Sequence, residues 1–161
     1  AFALEEDGRI ENQVKNEYRE LNLSNPPKFI WANSSAQARD IIGSEEDIDM
    51  IICMYNEQDK EIFPFASRLK DEGRGIPFIL LIHYSKAVRQ RVLESPHPGV
   101  DFVFSWHGNA DLILAIVKLL EDAANAENDV FEVGVKGILL VEDSIRYYSN
   151  YLPELYKIVL T

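Results

Sequence analysis

Sulfur and imidazole are scarce in this chain. A single cysteine, Cys53, stands among 161 residues. An internal disulfide is therefore excluded, and the position of Cys53 inside the apolar run Met50-Ile51-Ile52-Cys53-Met54 reads as an inert buried thiol in a reducing compartment. The three histidines, His83, His97 and His107, show no metal-ligand spacing with cysteine or carboxylate partners and read as solvated loop residues. Positive charge is short too. Sixteen Lys and Arg against 27 Asp and Glu leave a formal charge of −11. With no cluster of basic residues visible along the chain, nucleic acid and anionic membrane surfaces are expected to be repelled. The apolar runs all fall short of the ~18–20 residues that cross a bilayer, and no basic-then-apolar leader opens the sequence. A soluble, cytoplasmic protein is expected.

What is abundant is ordinary globular material. The hydrophobic fraction of 47% and charged fraction of 27% support a packed core, and the length suits one domain or one domain with a fragment of a second. Short apolar runs alternate with stretches of helical periodicity, the rhythm of a parallel α/β sheet. Ile10, Val14, Tyr18 and Leu21 space as one face of a first helix, which Pro26-Pro27 stops. Lys28–Ala32 reads as a strand, Asn33-Ser34-Ser35 as the cap of a helix ending at Gly43, and Met50–Met54 as a strand covered on both faces.

A helix over 60–72 buries Ile62, Phe65 and Leu69, and Gly73-Arg74-Gly75 lacks the rest of a phosphate-binding loop and reads as a turn. Strands follow at 77–82 and 100–105, separated by a short helix over 86–93. Asn109 caps a long, nearly all-apolar helix to about residue 124; residues 125–135 form an acidic linker. Ile138–Val141 then reads as a strand leading to a closing helix with a kink or restart at Pro153. The fold class is α/β, a doubly wound parallel sheet with functional loops at the carboxyl ends of its strands.

This order, with Asp49–Met54, Ile76–Ile82 and Gly99-Val100-Asp101-Phe102-Val103-Phe104-Ser105-Trp106 as successive strands, resembles the receiver domain of response regulators, the CheY-like, flavodoxin-like fold. The resemblance covers residues 1–124. It implies a phosphoaccepting Asp at the end of one strand, a Ser or Thr at the end of the next and a Lys after that. Those positions hold Met54, Ile82 (or His83, one residue on) and Trp106. A thioether is neither a carboxylate nucleophile nor a ligand for hard Mg²⁺, the hydrocarbon side chain of Ile cannot hydrogen-bond a phosphoryl oxygen, and indole carries no charge. Trp106 either fills the space a lysine leaves or joins Tyr84, Tyr55 and His107 in an exposed aromatic contact.

The tail, Ile138-Leu139-Leu140-Val141-Glu142-Asp143-Ser144, is similar to the first strand and acidic pair of a second receiver, begun over 136–161. The resemblance makes Glu142 and Asp143 ligands for Mg²⁺ in an intact second receiver; by spacing alone, Asp143 and Ser144 read as a helix cap. Together with Val103–Asp111 and Val141–Ser149, the chain more narrowly resembles the amino-terminal regulatory region of some large bacterial phosphoenolpyruvate synthase or pyruvate,phosphate-dikinase-like proteins.

The first module lacks the receiver's central strand. Ile138–Val141 has the composition to fill that slot, from its own chain or by exchange in a homodimer, across the about 13 residues that separate it from residue 124, at ~3.3 Å each. Exposed, unpaired residues there would overturn this expectation. The function implied is a non-catalytic regulatory receiver-like module of a two-component or phosphotransferase-linked protein, contacting kinase, effector or own-chain domains. The alternative is a phosphorelay regulator whose Mg-dependent acceptor lies in the second receiver.

Overall fold

Three of the apolar runs lie side by side. The computed structural model describes residues 8–44, 47–83, 85–93 and 97–160, with side chains omitted at 86, 87, 89 and 93. In it β1 (Ile51–Met54), β2 (Phe78–His83) and β3 (Phe102–Trp106) form a parallel sheet in the order β1-β2-β3. The helices are α1 (Arg9–Glu20), α2 (Ser35–Gly43), α3 (Ile62–Asp71), α4 (Lys86–Leu93), α5 (Ala110–Glu127) and α6 (Ile145–Leu160). The chain is mixed α/β, compatible with a flavodoxin-like arrangement. By contacts it divides into two compact units, Lys28–Gly108 and Gly8–Pro27 with Asn109–Thr161.

In the first unit, Phe78, Leu80 and Ile82 of β2 are fully buried with Ile62, Phe65, Ala66 and Leu69 of α3. Ile42 of α2 and Val92 of α4 complete this core. α2 starts on a reciprocal cap: the Ser34 hydroxyl accepts from the Gln37 backbone N–H (3.2 Å), and the Gln37 side-chain oxygen accepts from Asn33 N–H (2.7 Å). Pro64 sits in the first turn of α3, where a backbone N–H has no intrahelical partner to lose.

Two strand expectations fail here. Lys28–Ala32 belongs to no sheet, and Ile30 and Trp31 are exposed. Met50–Met54 is half-buried rather than covered on both faces, with β1 at the edge of the sheet. Among the described residues no strand pairs with the outer edge of β1. Ile138–Val141 does not supply it: Ile138, Leu139 and Val141 are 65%, 88% and 82% exposed, and the segment pairs with no strand. The expected insertion of this segment as a central strand of its own chain's sheet is thus overturned. The segment serves instead as the connection into α6, which is tied down on α5.

That tie belongs to the second unit, where α1 and α6 pack on α5. Ile10, Val14 and Tyr18 form the buried stripe of α1, as their spacing predicts. Lys157 of α6 pairs with Asp111 at the start of α5 (2.5 Å), and the Tyr156 hydroxyl donates to Asp122 (2.7 Å). Burial, reinforced by Asp111, holds the Glu17 carboxyl above its ordinary range, with Lys157 acting against the rise. The Lys118 ammonium lies 5.2 Å from the Tyr18 ring centroid.

The expected linker over 125–135 is mostly helical. Ala123, Ala124, Ala126 and Glu127 are strong helix formers, so α5 runs on to Glu127. A π-helical turn, Asn128–Val133, continues it and ends at Gly134 (φ +79°), with Val135 N–H bonded to Asp129 O at 2.8 Å. The closing helix also shows no restart: α6 is continuous through Pro153.

Candidate functional site

Parallel pairing brings the carboxyl ends of β1, β2 and β3 to one edge of the sheet, and the register decides which side chains share a face. Ile51 and Cys53 stand opposite Phe78 and Leu80, while Ile52 and Met54 stand opposite Ile79 and Leu81. In β3, Ser105 is opposite Ile82 and Trp106 opposite His83. Because side chains alternate along a strand, Met54, His83 and Trp106 lie on one face. Ile82 lies on the other, inside the core packed on α3. His83, the position one residue further on, is therefore the β2 residue that accompanies Met54 and Trp106.

The chemistry at this edge is limited. Trp106 is buried at 5% exposure, so it fills space and offers no exposed aromatic surface; Tyr84, its suggested partner, lies outside the described residues. Tyr55 instead contacts Phe63, with ring centroids 6.0 Å apart. Burial, with Asp59 nearby, pushes the Cys53 thiol up to about 12, which leaves it protonated and unreactive at neutral pH. Asp59 is itself committed: one carboxylate oxygen accepts from Glu61 N–H (3.0 Å) and the other from the Ser35 hydroxyl (3.5 Å).

At the tail, the Glu142 carboxylate accepts from Ser144 N–H at 2.9 Å. The turn before α6 thus uses Glu142, one residue earlier than the Asp143 cap that spacing suggested, and Asp143 is exposed. Among the described residues no group of three or more His, Cys, Asp or Glu side chains is placed to hold a metal ion. No described helix is long and apolar enough to cross a membrane.

His97 departs from its expected solvated state. Its ring stacks on Phe63 at 3.7 Å between centroids, with 8° between planes. Nε2 is buried without a hydrogen-bond partner among the described residues. Burial lowers the His97 pKa below its ordinary 6.5, partly offset by a hydrogen bond to the Val92 backbone. The fold thus favours neutral imidazole. Its contribution to stability is complete above pH 6.5 and is lost progressively as pH falls below that value towards the lowered one. Urea midpoints measured between neutral pH and pH about 5 should fall more steeply for the wild type than for His97→Leu; equal slopes would contradict this.

Sequence reading also missed a cluster of basic residues. Arg39 on α2, Arg68 on α3 and Arg74 in the turn after α3, with Glu72 beside them, line a cleft of about 210 Å³ whose apolar residues are Ile42, Phe65 and Leu69. Gly73 (φ +67°) and Gly75 (φ +64°) flank Arg74, which reaches back to donate to the Ile42 carbonyl at 3.0 Å. The arginines are dispersed in sequence, so only the packing of α2 and α3 could reveal them together.

Comparison with protein-family models, with curated proteins and with solved structures finds no match for this chain.

Proposed function

We propose that this chain is a receiver-like regulatory module of flavodoxin-like type that works through protein contacts and carries no phosphoryl chemistry in its first module. The observation that supports this reading most directly is the trio at the carboxyl edge of the parallel sheet, Met54, His83 and Trp106. A phosphoaspartyl site needs a carboxylate nucleophile, oxygen ligands for Mg²⁺ and a cation or hydroxyl for the phosphoryl oxygens. Thioether and buried indole meet none of these needs, and the Asp59 carboxylate nearby already accepts from Glu61 N–H and the Ser35 hydroxyl. The module would belong to a two-component or phosphotransferase-linked multidomain protein, with kinase, effector or own-chain domains as its partners. Glu142 and Asp143 would bind Mg²⁺ only within a complete second receiver.

The test is incubation with a small acyl-phosphate donor and Mg²⁺, followed by intact-mass and peptide analysis. No phosphoryl group is expected on residues 1–124. Stoichiometric label within them would overturn the reading, whereas label confined to sequence beyond residue 161 in a longer polypeptide would favour the phosphorelay alternative.

A further inference from the structure

The arginine-rimmed cleft between α2 and α3 is unusual for a chain with 27 acidic and 16 basic residues. Ile42, Phe65 and Leu69 supply its apolar wall, three arginines outnumber the one lining carboxylate, Glu72, and among the described residues those cations are only partly engaged. Arg39 makes one long bond to the Ser35 carbonyl (3.4 Å), Arg68 pairs with Glu61 (3.1 Å), and Arg74 bonds the Ile42 carbonyl and Glu72 (3.0 and 3.4 Å). Each guanidinium carries five N–H donors, so every one of the three has donors left over. The Arg68 and Arg74 side chains are 45% and 43% exposed. The cleft therefore fits an apolar group bordered by carboxylates.

The same chain displays such a group. The π-helical turn Asn128–Val133 holds Phe131 at 79% exposure, with Val130 and Val133 also exposed. Asp129 and Glu132 flank the phenyl ring in sequence, and the Gly134 end fixes the turn. An aromatic ring on an ordered, exposed turn can bind at a smaller entropic cost than one on a mobile segment. Aromatic anchors ringed by polar contacts are the usual hot spots of protein interfaces.

We propose that the cleft between α2 and α3 receives Phe131 of a second copy of this chain, with Asp129 and Glu132 of that copy facing Arg39, Arg68 and Arg74. This goes beyond the regulatory reading and does not depend on it. Knob and socket are different surfaces, so the contact is heterologous: it closes a dimer if each copy can serve the other, and otherwise builds a chain of subunits. Charge complementarity makes the association salt-sensitive.

Sedimentation of the whole chain over a range of concentrations tests the proposal. The mass should rise with concentration, and added salt should reverse the rise. Phe131→Ser and Arg68→Glu should each weaken association at least tenfold, while circular dichroism verifies that both variants remain folded. Mixing Arg68→Glu with Glu132→Arg should restore hetero-association, because the altered charges again oppose one another. A chain that stays monomeric throughout would overturn the proposal. So would self-association unaffected by Phe131→Ser, which would place the contact elsewhere, for example on exposed Ile138–Val141.

Discussion

Gly99→Ala is expected to destabilise the protein by ~3 kcal/mol, at the upper end of the cost of forcing extra volume into a packed interior. A Cβ on Gly99 would lie 2.2 Å from the Ala66 carbonyl carbon, 2.3 Å from Ser67 N and 2.5 Å from Ala66 O. These are backbone atoms in the middle of α3. No side-chain rotation relieves such a clash; α3 or the segment before β3 must shift. α3 carries Ile62, Phe65, Ala66 and Leu69 into the core shared with β2, so that shift would loosen the packing across the sheet. The conformational freedom of glycine is not the issue, because Gly99 has no positive φ. Urea or thermal unfolding measures the effect. Gly137→Ala is the control, since its Cβ would meet nothing within 4 Å and should leave the midpoint unchanged. A Gly99→Ala midpoint equal to wild type would refute the close approach.

Gly99 also shows where sequence reading stops. Periodicity locates a helix by its own residues, and it worked where local pattern and packing agree: Ile10, Val14 and Tyr18 all face inward on α1, and Leu112–Val117 are all buried on α5. Runs of apolar residues likewise located β1, β2 and β3, because their neighbours in the sheet are present. The same composition at Lys28–Ala32 and Ile138–Val141 gave no strand. Strand propensity expresses the fit to an adjacent strand more than a preference of the backbone itself, and neither segment has one. In the tail, the helical propensity of Ala and Glu outweighed the polar composition that suggested a linker.

At the candidate site the limit was register. The resemblance could name Met54 and Trp106, but whether Ile82 or His83 stands beside them is a one-residue question, and one residue reverses the face of a side chain. The pairing of Met54 with Leu81 and of Trp106 with His83 answers it. The arginine cleft was hidden for a different reason. Arg39 and Arg68 lie on separate helices far apart in sequence, and the turn that aims Arg74 holds two glycines with positive φ.

Asp101→Ala should be the second most damaging of these substitutions, at ~2 kcal/mol, because it orphans a buried donor. The Asp101 carboxylate accepts the Phe78 N–H at 2.7 Å, while Asp101 N–H donates to Phe78 O at 2.9 Å. This double link joins the starts of β2 and β3. Phe78 has no solvent exposure, so removing the carboxylate takes away the acceptor of a buried N–H. The carboxylate also pairs with Lys70 at 2.8 Å, but both side chains are about one-third exposed, and solvent screening limits that pair to ~0.5 kcal/mol. Two further variants separate the contributions. Asp101→Asn keeps an acceptor for Phe78 N–H and removes the charge, and Lys70→Met removes only the ion pair. Unfolding midpoints should place both close to wild type and Asp101→Ala well below. If Lys70→Met instead cost as much as Asp101→Ala, the ion pair rather than the Phe78 hydrogen bond would be what holds β3 against β2 at this end of the sheet.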